Sequence, residues 1–228
     1  MSPLISQSQS TDSMFCRSLV SAGYLSQEQM QQAAQRYYLG KSREGGVVFW
    51  LIDDEQVLRD GKVMWYGNDC HRLKDKNPTW VSTLLKQKDE LPASFDPKRC
   101  LFGLHLLHAP LTVDKRSDEP PTVCIVEAEK TAVICSALFP QCLWMAPGGL
   151  TMLNAAKLYP LREHKVILFP DTDETGQTYE EWSRIAQSAQ DSFAHPIRVS
   201  PLLEKSATLA QKSAKIDIVD LMFSSPKP

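Results

Sequence analysis

Two different periodicities of apolar and polar positions run along this chain, and the change from one to the other falls near its middle. Phe15, Leu19 and Val20 recur at helical spacing, and Ser26-Gln27-Glu28-Gln29 has the form of a capping box opening a second helix that runs to about Arg36. Residues 1–12 are polar and predict a disordered tail. Gly45-Gly46 precedes VVFWLID, and after the turn DDEQVLRDG comes KVMWYG. Both runs are rich in β-branched and aromatic residues, which predicts two strands of a hairpin or meander.

Beyond Pro121 the pattern changes. PTVCIVE reads as a continuous apolar strand, AEKTAVICSALF as a helix, QCLWMA as a strand, GGLTMLNAAKLYPL as a helix and HKVILFPD as a strand. GQTYEEWSRIAQSAQDSF then reads as a helix and HPIRVS as a strand. Strands alternating with helices predict an α/β architecture, a parallel Rossmann-like sheet with helices on both faces. A smaller α+β N-terminal lobe precedes it. Loops rich in proline and charge occupy 89–99 and 110–121, and the second marks the boundary. The expected division is a tail at 1–12, a lobe at 13–109, a linker at 110–121 and an α/β domain at 122–223.

The 228 residues carry a net charge of −2, so no global basic field points to nucleic acid. Locally the picture differs. From Arg59 to Lys88 seven Lys or Arg face three acids, with Trp65, Tyr66, His71 and Trp80 among them. Lys62, Arg72, Lys74, Lys76, Trp65 and Tyr66 are therefore candidates for contacting phosphates and stacking on bases. The same composition also fits a solvated face over buried rings. The six cysteines form no Cys-x-x-Cys pair, and no paired His spacing accompanies them, so they read as reduced thiols rather than zinc ligands. His105 and His108 lie on an apolar segment and read as structural. No apolar run reaches the length of a membrane span and no leader pattern opens the chain, so a cytoplasmic protein without a membrane partner is expected.

Candidate chemistry gathers at the strand ends. FPDTDETG places Asp171 and Asp173 directly behind an apolar strand, at the edge where open parallel sheets bind ligands. Between Pro170 and Ser183 there are five acids and no Lys or Arg, so a hard divalent cation is the natural partner. A solvated acidic loop opening a helix is the other reading. Glu127 closes the first strand of this half and Gly148-Gly149 follow the second. If these strands are neighbours, about 5 Å per step lets Glu127, Asp171 and Asp173 surround one or two cations. All-oxygen donors favour Mg²⁺ or Mn²⁺. The glycines allow close approach of a phosphate, and Lys130 either touches phosphate or lies on the exposed face of its helix.

VCIVEAEKTA, LWMAPGGL and VILFPDTDETG together resemble the Toprim domain, the catalytic module of bacterial primases, phage primase-helicases, topoisomerases and some nucleases. The resemblance implies a Toprim-like sheet in which Glu127 supplies the motif glutamate and Asp171 and Asp173 the Asp-x-Asp pair. The segment KIDIVDLM is similar to the Asp-x-x-Asp-Leu stretch of primase-type members, at Asp217 and Asp220. GGVVFWLID, DGKVMWYG, HRLKDKNPTWV and CLFGLHLL resemble the N-terminal subdomain of a primase core, closest to primase-like Toprim proteins of bacterial mobile elements. Implied are Mg²⁺-dependent nucleotidyl transfer, nucleotides and a single-stranded DNA or RNA template as partners, and a helicase or relaxase nearby. Two features depart from the pattern: Ala128 stands where primases carry glycine, and the spacing of a template-reading zinc module is missing.

Three other functions fit parts of the sequence. A single-stranded nucleic-acid-binding module without chemistry would use the same basic and aromatic stretch. A Toprim nuclease would use the same acids. LFPDTDET also fits the signature of haloacid-dehalogenase-like phosphatases, with Asp171 as nucleophile and Asp173 as acid. That fold opens its sheet with the signature and needs further strands after it, whereas only 55 residues follow Asp173.

Overall fold

The computed structural model describes residues 2–108 and 120–224. The chain divides into two compact units, Met1–His108 and Ala109–Pro228. Residues 110–119 of the expected linker, together with residue 109, lie outside the described residues.

In the first unit, helices α1 (Pro3–Ser8), α2 (Met14–Ser21) and α3 (Gln27–Arg36) precede strands β1 (Gly40–Lys41), β2 (Val47–Ile52), β3 (Leu58–Met64) and β4 (Thr79–Trp80). Helix α4 (Val81–Gln87) and a 3₁₀ turn at Leu104–His108 complete it. The sheet is antiparallel throughout, in the order β1-β2-β3-β4. Ser26 and Gln29 form the reciprocal capping box that the sequence suggests. Every residue of β2 is buried. Phe15, Phe49, Tyr66 and Phe102 make edge or tilted ring contacts in the core, and Tyr37 stacks on Phe102 at 4.8 Å. Gly61 faces Trp50 across β2 and β3, and a Cβ there would come within 2.5 Å of the indole, so that ring can lie flat on the strand only over glycine.

The segment expected to be a loose tail contains α1. Ile5 is buried in a cluster with Val48, Trp50, Ile52 and Val63, and Gln9 bridges to Gly40. The Ser10 amide donates to the Leu39 carbonyl at 3.0 Å and Lys41 Nζ to the Asp12 carbonyl at 3.2 Å, so backbone and ionic contacts add to this apolar anchor in a stretch whose overall polarity points the other way.

The second unit contains strands β5 (Val123–Val126), β6 (Leu143–Met145), β7 (Val166–Phe169) and β8 (Arg198–Val199). Between and after them lie α5 (Glu129–Leu138), α6 (Ala155–Leu158), α7 (Gln177–Ala189), α8 (Leu202–Ser206), α9 (Leu209–Ser213) and α10 (Ile218–Ser224). The sheet is fully parallel in the order β6-β5-β7-β8. β5 and β6 are buried along their whole length, as apolar runs of strands covered on two sides should be. The chain steps from β5 outward to β6, then returns across β5 to β7. Right-handed crossovers in opposite directions assign α5 to one face and α6 and α7 to the other, and α6 touches α7.

The segment 148–161 is not one helix. Two 3₁₀ turns, at Leu150–Met152 and Tyr159–Leu161, flank α6. Asn154 accepts the Lys157 amide and so starts a new helix where the periodicity suggests continuation, and Pro160 ends it. No helix among the described residues is long and apolar enough to cross a membrane.

Candidate functional site

The order of the parallel sheet decides where a ligand fits. Connections leave the adjacent strands β5 and β7 in opposite directions, and open sheets form their crevice at such a switch point, beyond the carboxyl ends of the strands. Val126 pairs with Phe169, so Glu127 leaves β5 level with the residue before Asp171 leaves β7. Both acids are half-buried.

Their charges act on each other. Burial, then the neighbouring Glu127, Asp217 and Asp220 carboxylates, push the Asp171 carboxyl well above the ordinary range, while Lys130 acts in the other direction. Asp217 is likewise raised by burial and by Asp220, against the opposing influence of Lys130 and the Thr131 hydroxyl. Four acids from three parts of the chain thus share one electrostatic environment with one lysine. Lys130 sits in the first turn of α5, directly behind β5.

Asp173 is arranged differently. Its carboxylate accepts from the Thr175 amide at 2.8 Å, the Thr175 hydroxyl at 2.7 Å, the Gln177 amide at 3.2 Å and the Thr178 amide at 2.7 Å. Partial burial works against its charge, but these donors more than offset it and hold the carboxyl well below the ordinary range. Gly176, at φ 74°, turns the chain so that the amides opening α7 face this carboxylate. Asp171 and Asp173 therefore sit in opposite situations two residues apart: one carboxylate among other acids, the other among donors.

Asp217 and Asp220 form a reciprocal cap on α10. The Asp220 amide donates to Asp217 Oδ1 at 2.8 Å, and the Asp217 amide donates to Asp220 Oδ2 at 3.1 Å. The Thr131 hydroxyl donates to Asp217 Oδ2 at 2.5 Å, tying α10 to α5. Thr131 is the member of this group that sequence reasoning did not single out. Its position four residues after Glu127, one helical turn into the site, is the signal that was available.

Oxygen donors only, partly buried and mutually repelling, suit a hard divalent cation. Glu127 and Asp171 follow the carboxyl ends of the adjacent strands β5 and β7 and act on each other through their charges. Among the described residues, no three His, Cys, Asp or Glu side chains stand close enough together to form a ready metal cage. Ala128 takes an ordinary extended conformation at φ −109°, so alanine is accommodated without backbone strain. Gly148 and Gly149, at φ 89° and 153°, follow β6 in conformations that favour glycine. A cleft of about 790 Å³ opens beside Asp173, lined also by Thr151, Leu153, Glu174, Arg184 and Lys215.

In the first unit the basic and aromatic stretch splits into two sets. Arg72, Lys74 and Lys76 are exposed, and the Lys76 ammonium lies 5.5 Å from the half-buried Trp65 ring. Lys62 and Tyr66 are buried, Tyr66 against Phe15 at 4.9 Å. They lie inside the lobe, Lys62 in the stretch of β3 that is buried on both faces and Tyr66 just beyond it. Trp80 is covered by the Arg99 guanidinium at 3.8 Å, which also donates to the buried Asp60 at 2.8 Å. His105 is buried and contacts the Arg36 carbonyl through Nε2 at 3.1 Å, a structural placement.

The structure is similar to solved primase cores. The DnaG primase catalytic domain bound to single-stranded DNA matches with a TM-score of 0.54 and 16% identity, over 90% of this chain and 73% of that one. The catalytic core of Escherichia coli primase matches with a TM-score of 0.53 and 16% identity, over 97% of this chain and 80% of that one. The primase fragment of the bacteriophage T7 primase-helicase is 20% identical with a TM-score of 0.46, and the chain, of which 81% is covered, spans 64% of that fragment's length. At such identity the likeness speaks for the fold, which is that of a primase catalytic core. No curated protein matches the sequence. A family model covers residues 13–172, most of the chain, and on that match the protein belongs to the family described as Domain of unknown function (DUF6371).

Proposed function

We propose that this chain is a Toprim-type, primase-like nucleotidyltransferase that extends or starts a strand on a single-stranded nucleic-acid template with Mg²⁺ or Mn²⁺, in replication or mobilisation of a mobile element. The observation that carries the reading is the convergence of Glu127 and Asp171 at the switch point of the parallel sheet, where the charge of one raises the proton affinity of the other. The primase-core fold supports it.

In this reading Glu127 and Asp171 would hold the ion, and Glu127 would also accept the proton of an attacking hydroxyl. A bound divalent cation supplies neutralisation of the charge that grows on the reacting phosphate. Asp173 acts on position: its four hydrogen bonds fix the turn that carries Asp171 into the crevice. Lys130 holds the acids together through its charge and stands ready to meet a phosphate. Arg72, Lys74 and Lys76 contact the backbone of the single strand, and a helicase or relaxase supplies the template.

A second reading, a nucleic-acid-binding module without chemistry, is favoured by the four hydrogen bonds that the Asp173 carboxylate accepts at the start of α7. Primer synthesis on a single-stranded DNA template separates the two. Mg²⁺-dependent product that disappears in Glu127→Gln, with template binding intact, supports the transferase. Binding without product in the native protein supports the module.

A further inference from the structure

Strand pairing alone does not fix Glu127 against Asp171. Val126 and Phe169 are the last paired residues of β5 and β7, and both acids lie beyond them. The loop after β7 is held instead by a bond to a distant part of the chain. The Thr172 amide donates to the Ile216 carbonyl at 3.0 Å, so Asp171 immediately precedes the donor and Asp217 immediately follows the acceptor. Asp217 in turn accepts the Thr131 hydroxyl at 2.5 Å. Thr131 is the third residue of α5, where the Ala132 amide donates to the Ala128 carbonyl at 3.1 Å and winds the chain from Glu127 into the helix.

These links close a ring. One half crosses the sheet from β5 to β7. The other runs from Glu127 through the first turn of α5, across Thr131 and Asp217, and back through Ile216 and Thr172 to Asp171. Thr131, Thr172, Ile216 and Asp217 are all buried. Asp217 is fixed from its other side as well, since Oδ1 accepts the Asp220 amide and its own amide donates to Asp220 Oδ2.

Charge gives the ring a purpose. The carboxylates of Glu127 and Asp217 both repel that of Asp171, so an unbraced loop would carry Asp171 away from Glu127 until an ion drew it back. Only the fraction of molecules with the two acids together would then be ready to bind, and the apparent affinity would fall by that fraction.

We propose, on the basis of the cation reading above, that Thr131 and Asp217 are positioning residues. Acting through the Thr172 backbone, they hold Asp171 at the separation from Glu127 at which both carboxylates reach one divalent cation.

The test is a Mn²⁺ titration followed by loss of the free ion's paramagnetic resonance signal, counting only the binding that disappears in Asp171→Asn, on variants shown by circular dichroism to be folded. Thr131→Val keeps the shape and removes the hydroxyl. Its apparent Kd for Mn²⁺ should rise by on the order of ten-fold, the usual size of the loss when an outer partner of a metal ligand is removed, and Thr131→Ser should return it to within about two-fold of the native value. Val48→Ala, which loosens the core of the other unit, should leave it unchanged. In the unaltered, metal-free chain the Thr172 amide should be protected from hydrogen exchange, and in Thr131→Val it should lose protection ahead of the β5 and β7 amides.

Saturable Mn²⁺ binding that is equally tight in Thr131→Val would overturn the proposal and leave the cation reading intact, whereas no saturable binding by the unaltered chain would overturn both. Equal weakening by Val48→Ala would also overturn the proposal. So would an unprotected Thr172 amide in the unaltered chain, a measurement that needs no variant to fold.

Discussion

Asp217 takes the Thr131 hydroxyl at 2.5 Å on one carboxylate oxygen and caps α10 with the other, accepting the Asp220 amide at 2.8 Å. A single buried side chain thereby fastens the C-terminal helix to the helix that follows Glu127. Thr131→Val keeps the shape and removes the donor, leaving a buried carboxylate oxygen short of a partner. The expected loss is about 1–3 kcal/mol of stability, read as a fall in the denaturant midpoint. Thr131→Ser should restore most of it. An unchanged midpoint in the valine variant would show that the bond contributes nothing.

Asp171 and Asp217 have raised proton affinity in the folded chain, so the fold binds more protons than the unfolded chain does. Stability from these groups is fully present below the unfolded carboxylate pKa, about 4, and is lost as pH rises through the folded values. Asp171→Asn should therefore stabilise the metal-free protein at neutral pH by on the order of 1 kcal/mol, roughly 2–4 °C in melting temperature. The gain should shrink toward pH 4. Equal gain at all pH values would contradict the assignment.

Asp173 has the opposite sign. Its lowered carboxyl contributes stability above the unfolded value that is lost as pH falls through the acid range. Asp173→Ala should cost about 1–2 kcal/mol at pH 7, the magnitude of a lost helix cap, with or without Mg²⁺. A cost that appears only with Mg²⁺ would return Asp173 to the ligand set.

These two aspartates also show where sequence reading stops. Periodicity was enough for the alternation of β5, α5, β6, β7 and α7, because each apolar run is closed by residues that suit a turn or a cap. The strand order was not legible, since the placement of β5 between β6 and β7 is a long-range pairing without a local signature. Asp171 and Asp173 look equivalent on paper, and only the path of the loop through Gly176 gives one to the acids and the other to α7. The 148–161 stretch shows the reverse failure. Its apolar spacing suits one helix, and Asn154 and Pro160 break it.

The exposed bases offer a separate test. Lys74→Ala with Lys76→Ala should weaken binding to single-stranded DNA and reduce the slope of log affinity against log salt by up to about 1.4. Tyr66→Ala should instead lower stability by about 3–5 kcal/mol, as loss of a buried ring does. Weakened binding by Tyr66→Ala with unchanged stability would place that ring at the surface after all.

The central claim is that Glu127 and Asp171 together hold a divalent cation. Crystals soaked with Mn²⁺ and measured at the manganese edge test it most directly. The account predicts an anomalous peak within coordination distance of both carboxylates, absent from crystals of Asp171→Asn. A peak elsewhere only, or one that survives that substitution unchanged, would contradict it.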